Sequence, residues 1–209
     1  EAEAMLADAR IAMVGMARAH IADPALVRKA AEGREHETRP CIACNQGCAG
    51  FLAQNLAITC LASPATGREA AWSPPGEVPP RVPSPRRVLV VGGGPAGMEA
   101  AAVAAARGHR VTLWEAADRL GGALLWTERM SKRREFGRLI EAQRAALVRA
   151  GVRVETGRSA DAGAIAEAEP EAALIATGAE PAASAFPGGG AGLTLEQALP
   201  APDAPGERV

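Results

Sequence analysis

The sequence predicts an α/β protein in which a Rossmann-like dinucleotide-binding domain follows a compact cysteine loop. Three observations predict it. A continuous apolar stretch, RVLVVGGGPAG from Arg87, runs into a glycine-rich turn and then into an alanine-rich helix. All four cysteines fall between positions 41 and 60. A proline-rich stretch separates the two regions: SPPGEVPPRVPSPRR, residues 73–87, holds six of the sixteen prolines and reads as a semi-rigid extended linker.

Composition bounds the function. The 209 residues carry 23 basic and 24 acidic side chains, a net charge of -1. That balance gives no basic excess or stripe for nucleic acid or a membrane surface. No apolar run approaches the roughly 20 residues of a membrane span, and the acidic opening EAEAMLADAR is no secretory signal. Aromatic residues are 3% and Tyr is absent, so the core must be built from Ala, Val, Leu and Ile.

Residues 1–38 read as the end of an amphipathic helix, a short apolar strand over Ile11–Gly15, and a helix in which Asp23 is N-cap, Pro24 N1 and Gly33 C′. A lone parallel strand needs neighbours, so the partners of Ile11–Gly15 must lie elsewhere. After the linker, Gly92-x-Gly94-x-x-Gly97 sits between a strand and a helix that begins near Pro95 and Ala96 and stops at Gly108. Gly92 permits the tight turn, Gly94 leaves room for a pyrophosphate, and Gly97 lets helix and strand pack closely. The N–H groups and dipole of the helix start would bind the pyrophosphate. RVTLWEA is the second strand. It ends at Glu115, eighteen residues after Gly97, where a carboxylate accepts hydrogen bonds from ribose hydroxyls. Ser131 can cap a helix over roughly 132–150 with Phe136, Leu139, Ile140, Ala146 and Leu147 on one face, and GVRVETG and EAALIATGA are further strands.

FAD and NAD share this fold and this acidic residue. Three features favour FAD: Gly93–Gly97 as GGPAG, the later Asp118-Arg119-Leu120-Gly121-Gly122, and the strand-ending Ala176-Thr177-Gly178. They resemble the two-dinucleotide flavoprotein superfamily, whose first such domain holds FAD; the resemblance also brings in Ala116 and Arg119 after the second strand. Gly121-Gly122 would let a second backbone segment approach the cofactor, although an ordinary glycine turn has the same composition.

The cysteines are spaced Cys41-x2-Cys44-x3-Cys48-x11-Cys60. A disulfide framework would spread them through a small secreted domain, so the thiols are expected on a metal in a reducing, cytoplasmic setting. Four thiolates can hold zinc or a [4Fe–4S] cluster. Zinc ribbons pair two well-separated CxxC units, whereas three crowded cysteines and a distant fourth suit a cubane, and the neighbouring dinucleotide site favours redox use. Zinc and free thiols remain the alternatives. His20, His36 and His109 are scattered beside charged residues and read as surface histidines, and the Arg133-Arg134 run with Glu141 as a solvated helix face.

RPCIACNQGC joined to GREAAW, the proline-rich linker and VLVVGGGPAGMEAA resembles the iron–sulfur flavoenzymes of the Old Yellow Enzyme class, the 2,4-dienoyl-CoA reductase and trimethylamine dehydrogenase-like NADH:flavin oxidoreductases. The resemblance covers nearly the whole chain in order. It implies that residues 1–38 are the last strand and helix of an FMN-bearing (β/α)8 barrel, 39–72 the cluster loop, 73–86 a linker and 87–209 an FAD domain. It implies FMN phosphate contacts at Ala17 and Arg18. The class commonly has Gly where this chain has Ala17 and Ala43, and Asn where it has Ser63. It also implies a chain incomplete at both ends, with NAD(P) and FMN held mostly outside it and a small-molecule substrate bound by the absent part of the barrel. Reducing equivalents would then pass among NAD(P)H, FAD, the cluster and FMN, to reduce an activated alkene such as an enoyl thioester or to demethylate an amine oxidatively. The rival expectations are a stand-alone dinucleotide-binding electron carrier with no substrate site of its own, and a zinc-stabilised binding protein.

Overall fold

Parallel strands with both faces covered need helices on each side of the sheet, and the second half of the chain meets that need. The computed structural model of the chain describes residues 2–72, 80–130, 133 and 135–179. The chain divides into two units, Glu1–Glu77 and Val78–Val209, and the first carries α1 (Ala2–Leu6), α2 (Arg18–Ala22) and α3 (Leu26–Ala31). The proposed cap Ser131, residues 73–79 of the proline-rich stretch and residues 180–209 lie outside the described residues.

In the second unit, β1 (Arg87–Val91), β2 (Arg110–Trp114), β3 (Arg153–Glu155) and β4 (Ala172–Ile175) make a parallel sheet in the order β3-β2-β1-β4. This is the first half of the doubly wound arrangement, with its reversal of strand order between β1 and β4. Alternate residues of β1 serve opposite faces. Val90 is buried with Val111 and Leu113 of β2 against Met98 and Ala101 of α4 (Pro95–Ala106), and Ile140 and Leu147 of a longer helix join them. Leu89, Val91 and Trp114 face the other way, against Ala164 and Ile165 of a short helix over Ala162–Glu167.

Helix ends follow from glycine. Gly108 after α4 has φ +100, with its N–H on Ala105 and the next N–H, His109, on Ala104. These two bonds are the left-handed closure that satisfies the last carbonyls of a helix. Gly33 and Gly151 close their helices with the same pair of bonds. The long helix runs over Glu135–Ala150 and buries Leu139, Ile140 and Leu147 as its periodicity predicts. Two short helices, Leu124–Arg129 and Ala162–Glu167, are additions to the sequence reading. The second has Asp161 as its cap, accepting from the Ala164 N–H at 2.8 Å.

The first unit differs from expectation in two places. Ile11–Gly15 forms no strand; Met13 is 84% exposed, and no strand among the described residues pairs with the segment. The apolar run marks a strand only where neighbours exist to take its backbone hydrogen bonds. The helix expected from Asp23 begins later, at Leu26, and runs to Ala31.

Asp23 does more than cap. Its side chain is 2% exposed, accepts from Ala25 N–H at 3.1 Å and Arg39 N–H at 2.9 Å, and pairs with Lys29 Nζ at 2.6 Å. Lys29 Nζ also donates to the Glu37 carbonyl at 3.0 Å. One buried carboxylate thus joins the short helix to the segment that enters the cysteine loop.

Asp23→Ala strands a largely buried ammonium and two backbone donors. We expect it to destabilise the first unit by about 3 kcal/mol, measured by urea denaturation of the whole chain. A loss below about 1 kcal/mol would mean that water replaces the carboxylate.

Candidate functional site: a cysteine pocket and a glycine-rich crevice

The cysteine loop is built by backbone contortion. Ala43 and Asn45 flank Cys44 with φ of +51 and +57, and Gln46–Gly50 makes one wide π-type turn that carries Cys48. That turn meets the segment before Cys60 at close range: Thr59 N–H donates to the Gly47 carbonyl at 2.8 Å. A Cβ on Gly47 would stand 2.7 Å from Thr59 Cγ2 and from the Thr59 carbonyl oxygen. Further along, Gly67 has φ +77 and would place a Cβ 2.3 Å from the Ile58 carbonyl oxygen, and the buried Thr66 hydroxyl donates to the Ile21 carbonyl at 3.0 Å. Arg39 donates to the Ala62 carbonyl at 2.9 Å. These contacts bring Cys41, Cys44, Cys48 and Cys60, each half-buried and unpaired, around one pocket. Ile21, Ile42 and Leu61 supply apolar wall, and Arg18 stands at the same pocket.

Burial raises the Cys60 thiol above its ordinary range; the N–H groups of Ala62 and Ser63 bond to the sulfur and oppose the rise, and the Cys44 and Cys41 thiols add to it. Among the described residues, no three His, Cys, Asp or Glu side chains are gathered closely enough to share a single metal ion. Four cysteine sulfurs lining one pocket are a donor set that zinc or a [4Fe–4S] cluster can use.

Ala17 and Ala43 depart from the class differently. Ala17 has φ −86, which any residue adopts, and its carbonyl accepts from the N–H groups of His20 and Ile21. Ala43 sits in the left-handed region, where a Cβ costs about 1–2 kcal/mol. Ala43→Gly is therefore expected to raise stability by about 1 kcal/mol; thermal unfolding of the two proteins measures it.

In the second unit the glycine-rich turn is packed tightly enough to exclude side chains. Gly92 has φ +107, and a Cβ there would stand 2.3 Å from the Ala176 carbonyl oxygen. A Cβ on Gly97 would stand 1.8 Å from the Gly92 carbonyl oxygen. Gly93, read in the sequence only as the start of the GGPAG stretch, would drive a Cβ to 2.4 Å from Leu120 and 2.9 Å from Glu115 Oε2. Gly94 is the exception: its nearest neighbour in the Cβ direction is Gly122 Cα at 4.0 Å, so that direction opens onto the crevice. Pro95 and Ala96 form the first turn of α4.

Three other segments converge there, at the carboxyl ends of the strands. Glu115 follows β2; its Oε2 accepts from Gly93 N–H at 2.5 Å and its Oε1 from Ala117 N–H at 2.8 Å. The carboxylate is thus held in place by backbone on both oxygens, with Ala116 between the strand and that turn. Gly121 N–H donates to the Gly93 carbonyl at 2.9 Å, and a Cβ on Gly122 would stand 3.0 Å from Gly94 Cα. The two glycines therefore pack against the glycine-rich turn itself. Ala176, continuing β4, donates from its N–H to the Val91 carbonyl at 2.7 Å and lies beneath Gly92 and Gly97, with Thr177 and Gly178 next along the exposed rim. Arg119, just before Leu120 and Gly121, is exposed and lies 3.9 Å from Glu128.

Two buried side chains escaped the sequence reading. Gln143 donates to the Pro95 carbonyl at 3.0 Å and braces the first turn of α4; an amide inside an amphipathic helix carries no signal of this. Leu120 is 7% exposed over Gly93, within a stretch read only for its glycines. Of the histidines, His109 Nδ1 accepts from Arg86 N–H at 3.1 Å, and none lines the cysteine pocket.

The crevice fits a dinucleotide by the test of its own geometry. Three glycines are demanded by packing, and the fourth is the position where a side chain would fill ligand space. Gly94→Val should leave the fold intact and lower FAD affinity at least a hundredfold. Gly97→Ala should destabilise the unit by about 2 kcal/mol or more, since overpacking strain falls on backbone. Titration with FAD beside thermal unfolding separates the two.

Known proteins are similar to the chain across most of its length. Residues 87–134 match the FAD dependent oxidoreductase family. Over 181 residues the chain is 42% identical to an NADH oxidase of Thermoanaerobacter brockii, covering 86% of this chain and 27% of that protein. It is 38% identical over 199 residues to an N,N-dimethylglycine/sarcosine dehydrogenase of Chromohalobacter salexigens, covering 95% of this chain and 28% of that one. A solved 2-naphthoyl-CoA reductase superposes with a TM-score of 0.86 at 32% identity, over 96% of this chain and 30% of its own. Over these spans the chain is similar to flavoenzymes of the Old Yellow Enzyme and trimethylamine dehydrogenase-like class. It spans a little under a third of the length of these relatives.

Proposed function

We propose that the chain is the electron-transfer segment of an NAD(P)H-linked flavin oxidoreductase, holding a [4Fe–4S] cluster on Cys41, Cys44, Cys48 and Cys60 and FAD in the glycine-rich crevice. The observation that carries the reading is the gathering of all four cysteines around one pocket in a chain that also has a complete dinucleotide crevice. FAD held in the crevice would supply hydride and single-electron chemistry, and a cluster held by the four cysteines would supply single-electron transfer.

The residues of this chain have defined tasks in that reading. The first-turn N–H groups of α4 bind the pyrophosphate, and Gly94 leaves the space for it. Glu115, already oriented by Gly93 and Ala117, accepts hydrogen bonds from ribose hydroxyls and repels a 2′-phosphate. Gly47 and Gly67 let the backbone close around the thiols. Ala17 and Arg18 offer the FMN phosphate its backbone and guanidinium contacts, and residues 1–38 close the last part of the FMN barrel. The substrate class follows the relatives: an activated alkene such as an aryl or enoyl thioester on the reductive side, or an N-methyl amine on the oxidative side. The thiols require a reducing compartment, consistent with a cytoplasmic enzyme. Among the described residues no helix is long and apolar enough to cross a membrane.

Iron and flavin analysis tests the reading. Protein prepared anaerobically should be brown, with about four irons and one FAD per chain. Cys44→Ala should lose the cluster while keeping FAD. Glu115→Ala should keep the cluster and weaken FAD by roughly 1.5–3 kcal/mol, the scale of a lost charged hydrogen bond. Stoichiometric zinc without iron, or tight NADH binding without FAD, would overturn it.

A further inference from the structure

Arg18 is the only basic or acidic side chain, besides the cysteines, among the described residues that line the cysteine pocket. Its Nη1 donates to Asn45 Oδ1 at 2.6 Å, across twenty-seven positions of sequence. Asn45 lies between Cys44 and Cys48, in a left-handed conformation that starts the turn carrying Cys48; its own carbonyl accepts from Gly50 N–H at 2.8 Å. Asparagine tolerates this conformation better than other residues with a side chain, but nothing intrinsic holds its amide in one direction. The guanidinium does. It is planar, permanently charged and has several donors, so one N–H can hold Asn45 while others stay available.

We propose that Arg18 is a positioning residue for the cysteine pocket, fixing the Cys44–Cys48 turn through Asn45 and setting a permanent positive charge beside the group that the thiolates hold. The inference rests on the cluster reading above. Four thiolates around a cubane make a net anion, and each added electron deepens that charge. A fixed cation at the pocket therefore favours the reduced state and raises the reduction potential; its loss lowers it. The same contact ties the segment that begins at Arg18 to the ligand loop, so that loosening it exposes the cluster to solvent and chelator.

The test uses the full chain, reconstituted anaerobically with iron and sulfide, as wild type, Arg18→Gln, Arg18→Lys and Asn45→Gly. Three quantities are read: iron per chain, the midpoint potential followed by absorbance and electron paramagnetic resonance, and the rate at which a chelator removes iron. Arg18→Gln should shift the potential downward and lose iron about tenfold faster, the scale of one charged hydrogen bond. Arg18→Lys should restore most of the potential, because the charge returns. Asn45→Gly, which keeps the left-handed turn without the contact, should reproduce the faster iron loss with a smaller shift in potential. Wild-type protein with four irons, beside an Arg18→Gln variant equal to it in potential and in iron loss, overturns the role of Arg18 alone. Wild-type protein that takes up no iron overturns the cluster reading and this inference together. If Arg18→Gln fails to fold, the comparison of Arg18→Lys and Asn45→Gly with wild type decides: unchanged iron loss in Asn45→Gly rejects the positioning role.

Discussion

Backbone packed closer to backbone than a side chain permits is the constraint on which both units depend. In the second unit it is the crossing of Gly97 over Gly92, where an added Cβ would lie 1.8 Å from a carbonyl oxygen. That contact sets how near α4 can come to β1, and hence where the helix start stands relative to the crevice. In the first unit it is the approach of Gly47 to Thr59, which brings the turn of Cys48 against the strand-like segment ending in Cys60. Neither contact is strong in itself. Each is a place where only hydrogen will fit, and the surrounding elements take their spacing from it.

The two sites are prepared differently for charged groups. The crevice offers oriented dipoles: first-turn N–H groups of α4 on one side and, on the other, a carboxylate already held by the Gly93 and Ala117 amides. Little reorganisation is left for binding, which favours affinity. The cysteine pocket offers thiols in partly apolar surroundings, where burial opposes ionisation of Cys60 and the amides of Ala62 and Ser63 favour it. Thiolates in such a place are stable chiefly when a metal group shares their charge. The same logic explains the buried Asp23–Lys29 pair, whose charges are tolerated because the carboxylate accepts from Lys29 and from the Ala25 and Arg39 amides.

Glycine and alanine substitute for each other unequally along this chain. Ala17, where relatives of the class commonly have Gly, has an ordinary φ and loses nothing. Ala43, in the same kind of exchange, keeps a left-handed backbone beside Cys44. The ligand loop thus carries local strain that its hydrogen bonds to Thr59, Ala62 and Ile21 must hold in place.

What the sequence determined by itself was local or periodic. The apolar run of β1, the spacing of Gly92, Gly94 and Gly97, the position of Glu115 and the face of Leu139, Ile140 and Leu147 each follow from rules that act within a few turns or one βαβ unit. The closures at Gly33 and Gly108 are of the same kind. The spacing of the cysteines was likewise legible. Tertiary structure decided the rest, because it depends on what arrives from far along the chain. Ile11–Gly15 has the composition of a strand but no partner for its backbone among the described residues. Asp23 looks like a cap and is a junction, since Lys29 and Arg39 meet on it. Gly93 looks like a spare glycine until Leu120 is laid over it. Arg18, read in the sequence only for the FMN phosphate, and Asn45, unremarked there, are distant along the chain, and only folding puts the guanidinium at the cysteine pocket.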